Sequence, residues 1–259
     1  MSAIGVSIDE AGVAVVTIDH PPINLMTLDV FIDLARAVER LAGDDDARAL
    51  VFRSLDPDWF IAHFDVEAIL SFPTDRQRPT EVNGFHAMCE QLRTMPKPTI
   101  AQIDGFCVGG GMALAVCCDI RICGQGSNFA IPAARLGLGY GFLGINRLAN
   151  LVGPAFTKEI FFTARRFDAE EARIMGLVNR IVEDGAVEAA ADEMATTITG
   201  NAPLTVDAVK FIANQTRMDE SQRDLATCEA MVQTCFDSAD YIEGRRAFME
   251  KRKPVWTGS

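Results

Sequence analysis

Apolar positions along this chain recur with two periods, and the two alternate. The segments "IGVSIDE" and "GVAVVTIDH" flank a turn at Ala11-Gly12, and their every-other-residue apolar pattern predicts a β-hairpin. In "LDVFIDLARAVERLAG", residues 28–43, Phe31, Leu34, Ala35, Val38 and Leu41 fall on one helical face, and Gly43 supplies a stop. "ARALVFRS" is apolar and β-prone, as is "TIAQIDGF". Between them "EVNGFHAMCEQLRTM", residues 81–95, has helical period and ends ahead of Pro96 and Pro98. Three consecutive glycines, Gly109 to Gly111, then lead into "MALAVCCD", which predicts a buried helix.

Strand, helix, strand, glycine turn and helix in succession predict an α/β fold with a parallel sheet and crossover connections. From about residue 154 onward the pattern turns helical, in "PAFTKEIFFTA", "DAEEARIMG", "AVEAAADEMATTIT", "PLTVDAVKFIANQ" and "SQRDLATCEAMVQTCF". Asp168 ahead of Glu170 and Glu171 predicts an N-cap with acidic residues in the first turn. A boundary near "GNAPL" divides the chain into a core over 1–200 and a helical appendage over 201–259.

The 259 residues suit one domain with an appendage. A net charge of -12 argues against a nucleic-acid partner, which needs clustered positive charge. The one dense basic cluster, "EGRRAFMEKRKP", is either a local anion site or a solvated helix face. The N-terminus lacks a signal-peptide pattern, and the longest apolar run is too short to span a bilayer. Seven cysteines in mostly apolar context, with no CxxC and histidine grouping, predict free buried thiols, a cytoplasmic location and no metal site.

The glycine triplet needs an explanation, because glycine loses more freedom on folding than other residues. "GGGMAL" lacks the spacing of a dinucleotide fingerprint, and no Lys-Ser/Thr follows to make a phosphate loop. Two readings remain. One is close helix–strand packing. The other is an oxyanion site, in which backbone N–H groups at a helix start face a developing negative charge.

The stretch "KPTIAQIDGFCVGGGMALAVCCDIRIC" resembles the central signature of the crotonase superfamily, the enoyl-CoA hydratase/isomerase family. The likeness continues through "FAIPAARLGLGYGFLGINRL", "FTARRFDAEEARIMGLVNRIV" and the basic tail. It implies a crotonase-like ββα spiral core, an acyl-CoA thioester as substrate, and coenzyme A entering as part of that substrate with no permanently bound cofactor. It also implies a homotrimer or dimer of trimers built through the C-terminal helices, with no membrane partner.

Carried over by position, the resemblance implies that the oxyanion donors are the amides of Gly110 and of Phe64, the latter in "FIAHFD" where the family has roughly "FxAGAD". His20, Asn24 and Ala62 fall at substrate- or CoA-binding positions, and Phe248 and Lys251 at positions that cover the adenine and pair with phosphates. The two glutamates of the hydratases correspond to Ala113 and Ala133, and the aspartate of dienoyl isomerases to Gly141. Alanine cannot move a proton, so ordinary hydration is not expected. His86 resembles a histidine of a dehalogenase acting on 4-chlorobenzoyl-CoA, and either activates water or packs on its helix. His63 and Tyr140 are further acid–base candidates, with a solvent-facing ring and a pocket-lining aromatic as the alternatives. Histidine-assisted hydrolysis or C–C cleavage of a CoA ester is the expected chemistry, and a catalytically silent CoA-ester binder or assembly subunit the alternative.

Overall fold

The computed structural model describes residues 2–65 and 80–259. The hairpin is present: β1 (Ile4–Ile8) pairs antiparallel with β2 (Val13–Ile18). Strands β3 (Ala49–Ser54), β5 (Thr99–Ile103), β7 (Ile120–Gly124) and β10 (Arg180–Val182) extend it in parallel, giving a sheet of order β1-β2-β3-β5-β7-β10. A second sheet has the order β4-β6-β8-β9, from β4 (Trp59–Ile61), β6 (Phe106–Val108), β8 (Asn128–Ala130) and β9 (Phe167–Asp168). The pairs β3/β4, β5/β6 and β7/β8 show the chain leaving the large sheet and entering the small one three times. This repeated step is the ββα spiral.

The sequence pattern predicts one strand through "TIAQIDGF", but the structure divides it. Gly105 has φ +63° and leaves no room for a Cβ beside the Asp58 backbone. Only glycine turns there without strain. The strand therefore breaks, and Phe106 joins the other sheet. The predicted helix after the triplet is also shorter than "MALAVCCD": α3 spans Gly110–Ala115, and Cys117 and Cys118 lie beyond it.

The parallel strands read as unbroken apolar runs because both faces of their sheet are covered. On one face α1 (Leu28–Ala42) buries Val30, Phe31, Leu34, Val38 and Leu41 against Leu50 and Phe52. Ala35 is only half-buried at the edge of that stripe. Thr27 caps α1, its hydroxyl accepting from Val30 N at 3.3 Å. On the opposite face α6 (Val187–Thr199) lays Val187, Ala191 and Ala195 on Val13, Val51, Ile100 and Ile122. Helix α2 (Thr80–Thr94) packs beside α1, and α4 (Phe142–Thr163) kinks at Gly153, whose φ of +77° precedes Pro154. Asp168 caps α5 (Ala169–Ile174) in the predicted way, and Glu171 completes a capping box.

The C-terminal helices α7 (Pro203–Gln215), α8 (Leu225–Asp237) and α9 (Ala239–Glu250) follow. Helix α7 is tied to the core by Lys210. Its buried ammonium donates to Leu92 O at 2.9 Å and Lys97 O at 2.8 Å, and pairs with Asp119 at 2.8 Å. Asn214 donates to Arg93 O at 2.9 Å. No helix among the described residues is long and apolar enough to cross a membrane.

Removing one partner of a buried, hydrogen-bonded ion pair is costly, because the remaining groups lose their counterparts. Lys210→Met is expected to lower the unfolding free energy by about 3 kcal/mol. Urea denaturation should show the midpoint falling without a change in slope.

Candidate active site

Each glycine of the triplet answers a separate need. Gly109 has φ +53°. A Cβ on Gly111 would stand 2.8 Å from Ile61 O, so the packing explanation holds there. A Cβ on Gly110 would stand 2.9 Å from the Phe64 ring and 3.3 Å from the Phe64 amide nitrogen. The start of α3 thus lies directly against the loop after β4.

That loop is oriented by one short parallel bridge, between Met26 and Phe64. Met26 N donates to His63 O at 2.9 Å, and Asp65 N donates to Met26 O at 3.0 Å. In extended backbone, neighbouring residues present their N–H and C=O groups to opposite edges. Pairing through His63 O and Asp65 N therefore turns Phe64 N–H and C=O away from Met26. No described residue accepts a hydrogen bond from the amide of Phe64 or of Gly110. Gly110 is the first residue of α3, where amides have no intrahelical partner and the helix dipole is positive.

The loop rests on a three-ring stack. Phe64 meets Phe85 of α2 edge-on at 5.1 Å, and Phe85 meets Phe31 of α1 at 5.8 Å. The far end of α3 is held by Arg121, whose buried guanidinium donates to Leu177 O, Ala115 O, Cys118 O and Asp119 O. Burial pulls this group below the usual guanidinium range. The helix is clamped at both termini.

The remaining predicted positions separate into groups. Asn24, φ +48°, is buried, and its side chain is fully engaged with His20 N, Ser54 Oγ and Trp59 O. Its side chain braces the loop from inside. Ala62 is buried and its amide donates to Asn24 O at 3.3 Å. His20 is half-buried, with Nδ1–H donating to Leu25 O at 3.0 Å. His63 is half-buried as well, so a ring turned wholly to solvent is not what the fold gives. Ala113 lies on α3, Ala133 is buried in a short 3₁₀ turn (Pro132–Leu136), and Gly141 is the N-cap of α4.

Tyr140 stacks on Phe161 at 4.9 Å, and burial raises its phenol above the usual value, so it stays protonated at neutral pH. No described residue bonds its hydroxyl. Phe248 and Lys251 are exposed on and just after α9. The basic tail is partly neutralised, because Arg252 pairs with Glu243 and Glu250 and holds the Glu243 carboxyl at about 2.

All seven cysteines are free, but Cys228 and Cys235 are half-buried rather than buried. Burial pushes Cys107 and Cys118 well up and Cys123 to about 12, so these are neutral thiols and not nucleophiles. No metal-binding group of three ligands occurs among the described residues. A cavity of about 1170 Å³ opens between α4 and α7, lined by Arg93, Phe142, Arg147, Val209 and Arg217 among others, and none of the predicted site residues lines it.

Sequence reasoning passed over Arg121, Arg147 and Lys210. Each is a lone cation in an apolar or mixed stretch, and its role depends on contacts with distant segments. Their only sequence signal is a charge where the neighbouring pattern is buried.

Loss of the Asn24 amide would strand three half-buried partners, and alanine fits poorly at positive φ. Asn24→Ala is expected to lower stability by about 2–3 kcal/mol, read as a fall in thermal midpoint and in the urea midpoint.

Comparison with known proteins fits this arrangement. The family model described as enoyl-CoA hydratase/isomerase matches residues 9–259. A probable mitochondrial enoyl-CoA hydratase 2 of Arabidopsis thaliana is 34% identical over 251 residues, covering 96% of this chain and 83% of that protein. A short-chain-enoyl-CoA hydratase of Clostridium acetobutylicum is 33% identical over 245 residues, covering 94% of each. The crystal structure of an enoyl-CoA hydratase from Bacillus anthracis superposes with a TM-score of 0.88 at 27% identity, over 99% of this chain and 100% of that one. The ββα spiral, the glycine-started helix against the loop of Phe64, and these similarities together place the chain in the enoyl-CoA hydratase/isomerase family of the crotonase superfamily.

Proposed function

We propose that this protein processes acyl-CoA thioesters, and that the amides of Phe64 and Gly110 hold the negative charge that develops on the thioester oxygen. The observation that carries this reading is that neither amide has an acceptor among the described residues, while a Cβ on Gly110 would stand only 3.3 Å from Phe64 N. Donors already in place cost no reorganisation when charge forms, so they stabilise an enolate or a tetrahedral anion alike. The relatives named above are described as hydratases of enoyl-CoA, which fits a CoA thioester as the substrate class.

Ordinary hydration needs a proton donor and acceptor at the double bond. Ala113 and Ala133 offer methyl groups there, and Gly141 offers nothing. Proton transfer then falls to histidine or tyrosine, which favours hydrolysis or C–C cleavage of a CoA ester over water addition. A silent CoA-ester binder is the second reading, favoured by the same missing carboxylates. Self-association through the C-terminal helices belongs to this proposal, since Leu225, Phe236, Ile242 and Phe248 expose apolar side chains there.

A panel of CoA esters tests the reading. Crotonyl-CoA hydration should run at least about 10²-fold slower than in the Clostridium relative assayed alongside, the loss expected without general acid–base groups. Equal rates would refute it. On any ester that is turned over, Gly110→Ala should lower kcat by about 10²–10³-fold. Phe64→Leu keeps its amide and should cost less. Binding without turnover of any ester selects the silent reading. Sedimentation at micromolar concentration should show an assembly of three or six chains.

A further inference from the structure

The chain contains only three histidines, and in each the Nδ1 atom has a partner that fixes the proton. A carbonyl oxygen can only accept, and a guanidinium can only donate. His63 Nδ1 lies 2.6 Å from Phe64 O, so Nδ1 carries the hydrogen and Nε2 keeps a bare lone pair. His86 is the reverse. Arg147 Nη1 lies 3.0 Å from His86 Nδ1 and must donate to it, and Arg147 Nη2 donates to His86 O at 3.3 Å. A neutral His86 in that contact carries its hydrogen on Nε2.

We infer that the two histidines carry their protons on opposite ring nitrogens, so that His63 is the proton acceptor of the site and His86, whose Nδ1 is set by Arg147, is not. This assignment deepens the oxyanion reading and rests on it for its chemical use. It also reverses the expectation that His86 activates water, since the lone pair it would need is occupied by Arg147.

Position supports the role of His63. Phe64 C=O shares an edge with Phe64 N–H, and His63 is bonded to that carbonyl. The Cβ of His63 would lie 3.4 Å from a Cβ on Gly109, beside the second donor. His86 follows Phe85, whose ring meets Phe64 over Gly110, and Cys89 one turn later meets the thiol of Cys117 beyond α3. These two contacts set α2 against α3, and His86 faces Arg147 of α4. Arg147 is 13% exposed and has Glu90 at 4.0 Å, so its charge is balanced locally and its direction fixed. In a turnover, a proton leaving water or substrate goes to Nε2 of His63 and returns from there to the leaving group. His86, with its Nδ1 lone pair taken by Arg147, is left out of the base chemistry. Arg147 is a positioning residue, acting only through His86.

Three histidines make the test direct. In protein labelled with ¹⁵N and ¹³C histidine, His20→Gln, His63→Gln and His86→Gln assign the ring signals. At mildly alkaline pH, where unperturbed imidazoles are neutral, His20 and His63 should show the Nδ1–H form and His86 the Nε2–H form. His63 as Nε2–H, or His86 as Nδ1–H, overturns the assignment. In Arg147→Met the single form of His86 should give way to a mixture, and Arg147→Lys, which restores a donor, should return it toward Nε2–H. An unchanged His86 spectrum in Arg147→Met overturns the positioning role. Should that variant not fold, the wild-type spectrum decides the proton positions. On a processed CoA ester, His63→Gln should lower kcat at least about 10²-fold. Wild-type activity in His63→Gln overturns the acceptor role. Absence of turnover on every ester would count against the processing of CoA esters, while the ring spectra stand or fall separately.

Discussion

The structure depends on one intolerance: no side-chain atom fits between the start of α3 and the loop that follows β4. Gly110 touches both the ring and the amide of Phe64, and Gly111 sits on Ile61. Backbone meets backbone there, and the elements around it hold the approach in place. The Met26 bridge turns the loop, the ring stack of Phe64, Phe85 and Phe31 supports it, and Arg121 holds the other end of the helix. Among the described residues neither the amide of Phe64 nor that of Gly110 has an acceptor, and the proposed oxyanion role rests on that.

The fold around this contact separates framework from chemistry. The sheets and the α3 clamp need only apolar volume, turns and a few internal cations. The groups that do chemistry lie on side chains that can be exchanged without disturbing such a framework, so one fold can host more than one reaction. The imidazoles of His63 and His86 and the phenol of Tyr140 are each attached to a different element.

Much of the framework was legible from local pattern. The stripe on α1, the Asp168 cap and the hairpin are decided by neighbours within a few residues, and there the periodicity and cap chemistry are sufficient. The glycine triplet was legible as a site needing bare backbone, with the packing and oxyanion explanations both open, and geometry assigns packing to Gly111. Other features were not legible, because their partners are far away in the chain. The division of "TIAQIDGF" between two sheets depends on Asp58 pressing against Gly105. Arg147 meets His86 at a sequence separation of 61, and Lys210 meets Leu92 at one of 118. Asn24 carried a family role in binding, and its burial and three partners make it a brace as well.

The Lys210 anchor has a mechanical consequence. Its ammonium grips the carbonyl of Leu92 near the end of α2, and Asn214, one turn later, grips Arg93. Helix α2 is the same rod that carries Phe85 and His86. A tilt of α7 must therefore be transmitted along α2 to the ring that supports the loop of Phe64. Whatever presses on the outer helices, a second chain included, has a stiff lever reaching the innermost part of the molecule.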